Sequence, residues 1–570
     1  MSSAVAYRLV VGTLPWLTIA LLSMPVASGV LGALMPAFGW LPTLGGDHLS
    51  LSPWRQLVQV PGLVDMARLS LVTGLASAAL ALALVVLFLG SFLYTPLYRR
   101  IQRWLSPLLA VPHAAAAIGL AFLLAPSGWA ARGLSPWLTG WAYPPGYAFP
   151  GDAWGLSLIL GLVVKEVPFL LLMSLAALVQ CQAGERLTVA RSLGYRPLTA
   201  FLKGVMPGLY PLLRLPLYAV IAFATSTVDV AMILGPTTPS TLAVSVVGWL
   251  NDPVLSTRFM ASAGAILQLL LTLTALLIWW SLERLVACAS RGWYRDGRRQ
   301  CGDRWLGGVA WLAMRTVLGL MMTGLAGLVL WSVAGYWPFP HFLPRSPTVH
   351  NWLNAADELI VPVWQTLSVA LIATLVSVVL VLGSLEAETL RSRPLQPWVQ
   401  VILYLPLLVP PVAFLFGLVM MQAQAGIRPG LGTVIVGHAV FVLPYVFLSL
   451  AESYRRLDPR WSQQARSLGA GPWRVFLGVR LPLLLAPIVT AAAVGFAVSI
   501  GQYLPTVLLG AGRVVTVTTE AVSLASGGDR RLTAIYALVQ LLLPALGFLL
   551  AMRVPRYVFR RRRGLLPGAD

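Results

Sequence analysis

The chain is written in long apolar runs separated by short polar ones. The runs cover roughly residues 9–35, 69–94, 105–126, 154–180, 210–235, 259–282, 306–334, 361–386, 398–424, 431–451, 484–510 and 533–552. Most exceed the ~20 apolar residues a helix needs to cross the hydrocarbon core, so the pattern predicts about twelve spans. The fold class that follows is an all-α polytopic membrane protein. The first run is too long for the core of a signal peptide and lacks a small-residue cleavage site, so it is expected to remain as a span.

The runs fall into two series of six. The stretch Ser290 to Arg304 is the only long polar run between them and reads as a cytoplasmic linker. This divides the chain into a first repeat at 1–289, the linker at 290–304 and a second repeat at 305–570. A duplicated phrase supports the division. Thr188-Val-Ala-Arg-Ser-Leu-Gly194 runs on to Pro207, and Gln463-Gln-Ala-Arg-Ser-Leu-Gly469 runs on to Pro482, with Pro197, Phe201 and Leu202 matched by Pro472, Phe476 and Leu477. A second echo links Val111-Pro-His-Ala-Ala-Ala-Ala-Ile-Gly-Leu120 to Val409-Pro-Pro-Val-Ala-Phe-Leu-Phe-Gly-Leu418. With six spans in each half, the repeat is parallel, about an axis along the membrane normal.

Composition agrees with a bilayer setting: 58% of residues are apolar and 10% charged, against about 25% charged in soluble domains. The net charge of +21 raises nucleic-acid binding as a possibility. The placement of the cations argues against it. Arg99, Arg100 and Arg103, then Arg291, Arg295, Arg298 and Arg299, then Arg560 to Arg563 all fall on one side of the alternating spans. That is the positive-inside bias, and it predicts cytoplasmic N- and C-termini with no nucleic-acid partner. Cys181, Cys288 and Cys301 lie near the cytoplasmic side without metal-type spacing, so neither disulfides nor a metal site is expected.

In both copies of the phrase a glycine ends an Ala-containing segment, and a proline three residues later suits the first turn of a new helix. The prediction is a short helix, a sharp turn and a second helix at the membrane surface, over 185–207 and 460–482. Such an element suits insertion into a groove on another protein; the plain alternative is a surface-lying loop helix with no partner.

The pattern resembles the Glu-Ala-Ala loop of ABC importer permeases, which runs Glu-Ala-Ala, three residues, Gly, nine residues, Ile, one residue, Leu-Pro. The matching positions are Thr188, Val189, Ala190, Gly194, Gly204, Met206 and Pro207, then Gln463, Gln464, Ala465, Gly469, Val479, Leu481 and Pro482. Thr188 and Gln463 stand where the family has glutamate. The resemblance covers essentially the whole chain and is nearest to fused, double-length permeases of the iron(III)/thiamine/sulfate type. Ser499 to Gly512, followed by Thr518-Thr-Glu-Ala-Val522, is similar to a thiamine-like subgroup. The resemblance implies coupling loops carrying Thr188, Ala190, Arg191, Ser192, Gly194 and Pro207, and Gln463, Ala465, Arg466, Ser467, Gly469 and Pro482. It also implies two copies of an ABC ATPase subunit, an extracytoplasmic substrate-binding protein, lipid around the chain and a bacterial inner-membrane location. The binding protein is expected to meet segments such as 37–66, 127–152, 336–360 and 511–531.

A Walker A loop ends in Gly-Lys-Ser/Thr, its lysine reaching the nucleotide phosphates. The only lysines here are Lys165, followed by Glu166, and Lys203, followed by Gly204. If transport is ATP-driven, ATP and Mg therefore belong to a partner, with no cofactor in this chain. Ionisable groups at membrane depth are functional candidates by default. Lys165 and Glu166, mid-way along the fourth span, either line the pathway or pin helices together. Asp229 aligns with Leu504, beside Gln502 and Tyr503, and these complete the candidate pathway set. His113 and His438 lie in spans without a second ligand at metal spacing and read as packing or helix-bonding residues. The competing class is a twelve-span secondary transporter, whose expected acidic loop after the second span is absent from Tyr94 to Arg103. A membrane enzyme would need convergent His, Cys or carboxylates at membrane level, and the sequence offers no such cluster.

Overall fold

A computed structural model describes residues 3–391 and 397–560. Arg561, Arg562 and Arg563 lie outside these residues, and Arg103 is described in backbone only. Leaving short turns aside, the first half comprises α1 Ser3–Ala37, α2 Leu63–Phe92, α3 Pro96–Leu109, α4 His113–Leu124, α5 Leu156–Gln180, α6 Ala183–Ser192, α7 Pro197–Ala200, α8 Met206–Ser226, α9 Asp229–Leu234, α10 Leu242–Leu250 and α11 Thr257–Arg295. The second comprises α12 Asp303–Ser332, α13 His350–Arg391, α14 Pro397–Leu408, α15 Pro411–Gln424, α16 Leu431–Arg455, α17 Pro459–Ser467, α18 Pro472–Val475, α19 Leu485–Ile500, α20 Leu504–Gly510, α21 Val517–Ala525 and α22 Arg530–Val558. Each of these eleven first-half elements thus has a counterpart eleven places on; the short first-half helices Ser52–Val58 and Trp129–Leu134 have none. Among the described residues ten helices are long and apolar enough to span, or up to 12 if each bent pair counts as one span.

The structure differs from the expected spans and linker in three respects. The third spans are not continuous over 105–126 and 398–424. In each a separate helix, α3 or α14, ends before a proline, and the spanning helix starts afresh at His113 or Pro411, with a 90° bend in the second half. Pro112, and Pro410 with Pro411, withhold the amides a continuous helix would need. The fifth spans break at Thr227–Val228 and at Gly501–Tyr503. The polar stretch 290–304 contains the last turns of α11, a non-helical strap from Asp296 to Gly302, and the first residues of α12.

The halves interlock through their first helices. α1 packs along α15 of the second half, and α12 packs along α4 of the first. Glycines let both crossings come close, the first far more than the second. A Cβ on Gly417 would lie 2.5 Å from Ala33 N, and one on Gly119 would lie 3.0 Å from Gly324 C. Small residues at crossings are how helices approach closely where lipid removes any hydrophobic drive to associate. Within each half the fourth and fifth spans pack the same way. Leu234 of α9 fills the space over Gly161 of α5, and Leu509 of α20 fills that over Gly437 of α16. At the end of the bundle remote from the duplicated loops, Arg132 donates to the carbonyls of Trp337, Pro338 and His341, tying the halves together again.

Candidate functional site

The duplicated phrase folds twice into one geometry. α6 and α17 each end in a glycine in the left-handed region, Gly194 at φ 82° and Gly469 at φ 81°. Gly194 N–H donates to Arg191 O at 2.9 Å and Tyr195 N–H to Ala190 O at 3.2 Å; Gly469 donates to Arg466 O at 2.9 Å and Ala470 to Ala465 O at 3.0 Å. This paired closure is the Schellman cap, which satisfies helix-end carbonyls and requires a residue without a Cβ penalty. Pro197 and Pro472 then open α7 and α18, and each chain passes through one i→i+5 turn, Phe201–Val205 or Phe476–Arg480. Such turns are rare and cluster at functional positions.

Thr188, Ser192 and Ser467 spend their hydroxyls on their own helices. Arg191, Arg466 and Gln463 face outward. At each tip an exposed leucine sits just before the glycine, Leu193 at 57% and Leu468 at 88% exposure. These leucines belong to the duplicated phrase, yet sequence reasoning gave them no role. Pro207 lies in the first turn of α8. Pro482 instead lies in a helical turn, Leu481–Leu483, after which the chain bends 74° before α19.

The two loops are anchored by different chemistry. In the first, Asp303 of α12 accepts from Leu198 N at 3.0 Å, Thr199 N at 3.3 Å and Thr199 Oγ1 at 3.1 Å. The strap adds a bond from Arg196 N to Arg299 O at 3.0 Å and an ion pair of 2.7 Å between Lys203 and Asp296. The hydrogen bond from the Lys203 ammonium holds the Asp296 carboxyl below its ordinary range. In the second, buried Arg480 pairs with buried Glu386 and donates to Ser462 Oγ at 3.0 Å. Tyr454 and Tyr7 both donate to the same carboxylate, Tyr7 at 2.6 Å.

The candidate pathway residues separate into two groups. Lys165 donates to Val111 O, and Glu166 lies beside Ser77; both partners belong to the first half. Asp229 opens α9 at the break in the fifth span and accepts from Thr227 Oγ1 at 3.0 Å. Gln502 and Tyr503 occupy the corresponding break, and the Tyr503 hydroxyl reaches Met232 Sδ at 3.5 Å across the two halves. The structure therefore brings Asp229, Gln502 and Tyr503 to paired helix breaks and leaves Lys165 and Glu166 in a separate packed layer. Non-helical backbone at membrane depth is tolerated where protein buries it or a polar cavity receives it. His438 serves as a staple across the second break, bonding Ser499 Oγ at 2.8 Å and Thr506 Oγ1 at 2.9 Å. Among the described residues no group of three or more His, Cys, Asp or Glu is arranged to hold a metal.

The family described as "Binding-protein-dependent transport system inner membrane component" matches residues 379–564. The "Inner membrane ABC transporter permease protein YnjC" of Escherichia coli (strain K12) is 31% identical over 569 residues, covering 99% of this chain and 100% of that protein. The "Putative 2-aminoethylphosphonate transport system permease protein PhnV" of Salmonella paratyphi A (strain ATCC 9150 / SARB42) is 28% identical over 41% of this chain and 88% of its own length. The "Molybdenum transport system permease protein ModB" of Azotobacter vinelandii is 30% identical over 24% of this chain and 65% of its own length. Together with the helical bundle, these similarities displace the secondary-transporter and membrane-enzyme readings: the chain belongs to the inner-membrane permeases of binding-protein-dependent ABC importers.

Proposed function

We propose that this permease is a fused, double-length translocation unit, with repeats at 1–289 and 305–570 joined by the linker 290–304, and that each repeat engages one separate ATPase subunit. The coupling loops are 185–207 and 460–482, and ATP with Mg is bound by the partner. The observation that carries the reading is the twofold occurrence of one element: short helix, left-handed glycine, proline-started helix and i→i+5 turn. Each tip presents an exposed leucine beside an outward arginine, Leu193 with Arg191 and Leu468 with Arg466. That combination suits a groove with an apolar floor and an acidic rim.

In this scheme both termini are cytoplasmic, and a substrate-binding protein delivers cargo at the opposite face. Closure of the ATPase pair drives the two loops together and switches the bundle between inward-open and outward-open states. Substrate alone biases those states only by its differential affinity, so nucleotide supplies the cycle. Cargo passes between the paired breaks at Asp229 and at Gln502–Tyr503, while Lys165 and Glu166 pin helices of the first half. Ser499 to Gly512 with Thr518 to Val522 resembles a thiamine-like subgroup, so thiamine heads the cargoes for uptake trials, followed by iron(III) complexes, oxyanions and polyamines.

The test is affinity purification of the tagged permease from its native membrane, followed by native mass spectrometry. The expected result is one permease with two copies of a Walker A-containing ATPase. A single bound copy would sink the two-loop reading, and no ATPase at all would sink the coupling role of both loops.

A further inference from the structure

We propose that each coupling loop is latched by the first helix of the opposite half, with Asp303 and Tyr7 as the positioning residues; this rests on the coupling-loop reading above. α7 starts at Pro197 with Arg196 as its cap residue, and the Arg196 side chain caps nothing. The amides of Leu198 and Thr199 therefore lack intrahelical acceptors, the ordinary condition of a helix N-terminus. The usual remedy is an Asp, Asn, Ser or Thr at the cap position itself. Here the carboxylate comes from elsewhere in the chain. Asp303, first residue of α12, accepts from both amides and from the Thr199 hydroxyl. Leu198 and Thr199 are fully buried, so water is a poor substitute for that oxygen.

The second loop meets α1 in the same way with different groups. Tyr7 is 1% exposed, donates to Glu386 Oε1 at 2.6 Å and sets its ring edge-on to Trp473 of α18 with centroids 4.8 Å apart. Glu386 in turn holds Arg480, which ends the i→i+5 turn. Aligning Gly29 of α1 with Gly324 of α12 sets Asp303 opposite Arg8, the neighbour of Tyr7. The two latches therefore stand at one architectural position, and neither could be found by matching residue types.

The consequence is mechanical. α12 belongs to the second half but packs on α4 of the first, and α1 belongs to the first but packs on α15 of the second. A push on either loop is delivered to both halves at once, so the bundle switches as a unit. An ATPase moving one loop alone would have to break a trans cap or a buried phenol–carboxylate bond.

The experiment uses the tagged full-length permease purified with its ATPase, comparing wild type, Asp303→Ala, Asp303→Asn and Tyr7→Phe. Three quantities are read: ATPase recovered per permease, ATP turnover of the complex, and amide exchange of segments 197–202 and 473–480. Asp303→Ala is expected to raise exchange at Leu198 and Thr199 at least tenfold and to lower turnover several-fold, with ATPase recovery unchanged. Asparagine keeps one oxygen for the Leu198 and Thr199 amides but turns its amide nitrogen toward Cys301 N–H, which donates to the second carboxylate oxygen in the wild type. Asp303→Asn should therefore recover part of the protection of Leu198 and Thr199 and part of the turnover. Tyr7→Phe keeps the ring, should loosen 473–480 without affecting 197–202, and should lower turnover in the same direction. Wild-type turnover in Asp303→Ala, with ATPase recovered, overturns the latch while leaving the coupling loops standing. Exchange at Leu198 and Thr199 as fast in Asp303→Asn as in Asp303→Ala overturns the trans cap. Absence of ATPase from the wild-type preparation overturns the coupling-loop reading and the latch with it.

Discussion

Gly417 sets the tightest crossing between the halves, and a single methyl group there tests the interlock. A Cβ at 417 would press first on Gly29 O and lie 2.5 Å from Ala33 N and 2.7 Å from Gly29 C, all backbone atoms of α1. Ordinary contact begins near 3.4 Å, so α1 and α15 must part by well over about 1 Å, because backbone cannot swing aside as a side chain does. Overpacking costs about 1–3 kcal/mol, a backbone clash belongs at the upper end, and Gly→Ala in a helix returns at most about 1 kcal/mol, leaving a net loss of about 2 kcal/mol. At Gly119 the nearest atom, Gly324 C, would be 3.0 Å away, and the two terms nearly cancel. At Gly12, also in α1, nothing lies within 4 Å, so alanine is neutral or stabilising. The assay is thermal unfolding of the purified variants in one detergent, followed by tryptophan fluorescence at a fixed scan rate, since irreversible melting makes rank order the sound comparison. The expected order of apparent Tm is Gly12→Ala at or above wild type, then Gly119→Ala, then Gly417→Ala lowest. Gly417→Ala melting at or above wild type would refute the close crossing.

Removing one partner of the Glu386–Arg480 pair leaves a buried charge uncompensated, so Arg480→Ala should cost about 3–5 kcal/mol. Adding Glu386→Ala should recover part of the lost Tm, and a double variant no better than the single contradicts the pairing. For orientation, an otherwise cysteine-free chain carries Tyr143→Cys or Arg298→Cys, both at highly exposed positions. A membrane-impermeant maleimide added to spheroplasts should label position 143 and not 298; the reverse labelling overturns cytoplasmic termini.

What the sequence displays well is what local rules determine. Hydropathy located each apolar run because the bilayer imposes a length, and the glycine and proline of the duplicated phrase marked the loop geometry because few other residues suit those backbone positions. Hydropathy does not register direction, so the 90° bend between α14 and α15 passed as a continuous run although Pro410 and Pro411 stood in it. The breaks at Thr227 and Gly501 were hidden for the same reason. Long-range partners left no local trace. Glu386 and Arg480 stand 94 residues apart, and Asp303 reads as an ordinary acidic residue at a helix start until α7 is found beneath it. His438 was legible as a helix-bonding residue, but not as a staple across a break the apolar pattern did not show.

The most direct test of coupling through the duplicated loops is ATPase recovery with Gly194→Arg and Gly469→Arg, singly and together. Gly469 has nothing within 4 Å of its missing Cβ, and Gly194 has only the Arg299 side chain nearby. Either substitution costs about 1–2 kcal/mol for the left-handed backbone, while placing a long cation in the docking face. Gly469→Asn, which tolerates that backbone conformation, controls for the local strain. The expected result is that wild type and Gly469→Asn retain the ATPase, each single arginine variant loses about half, and the double variant loses it with the permease still folded. Full ATPase recovery with a folded double arginine variant would contradict coupling through these loops.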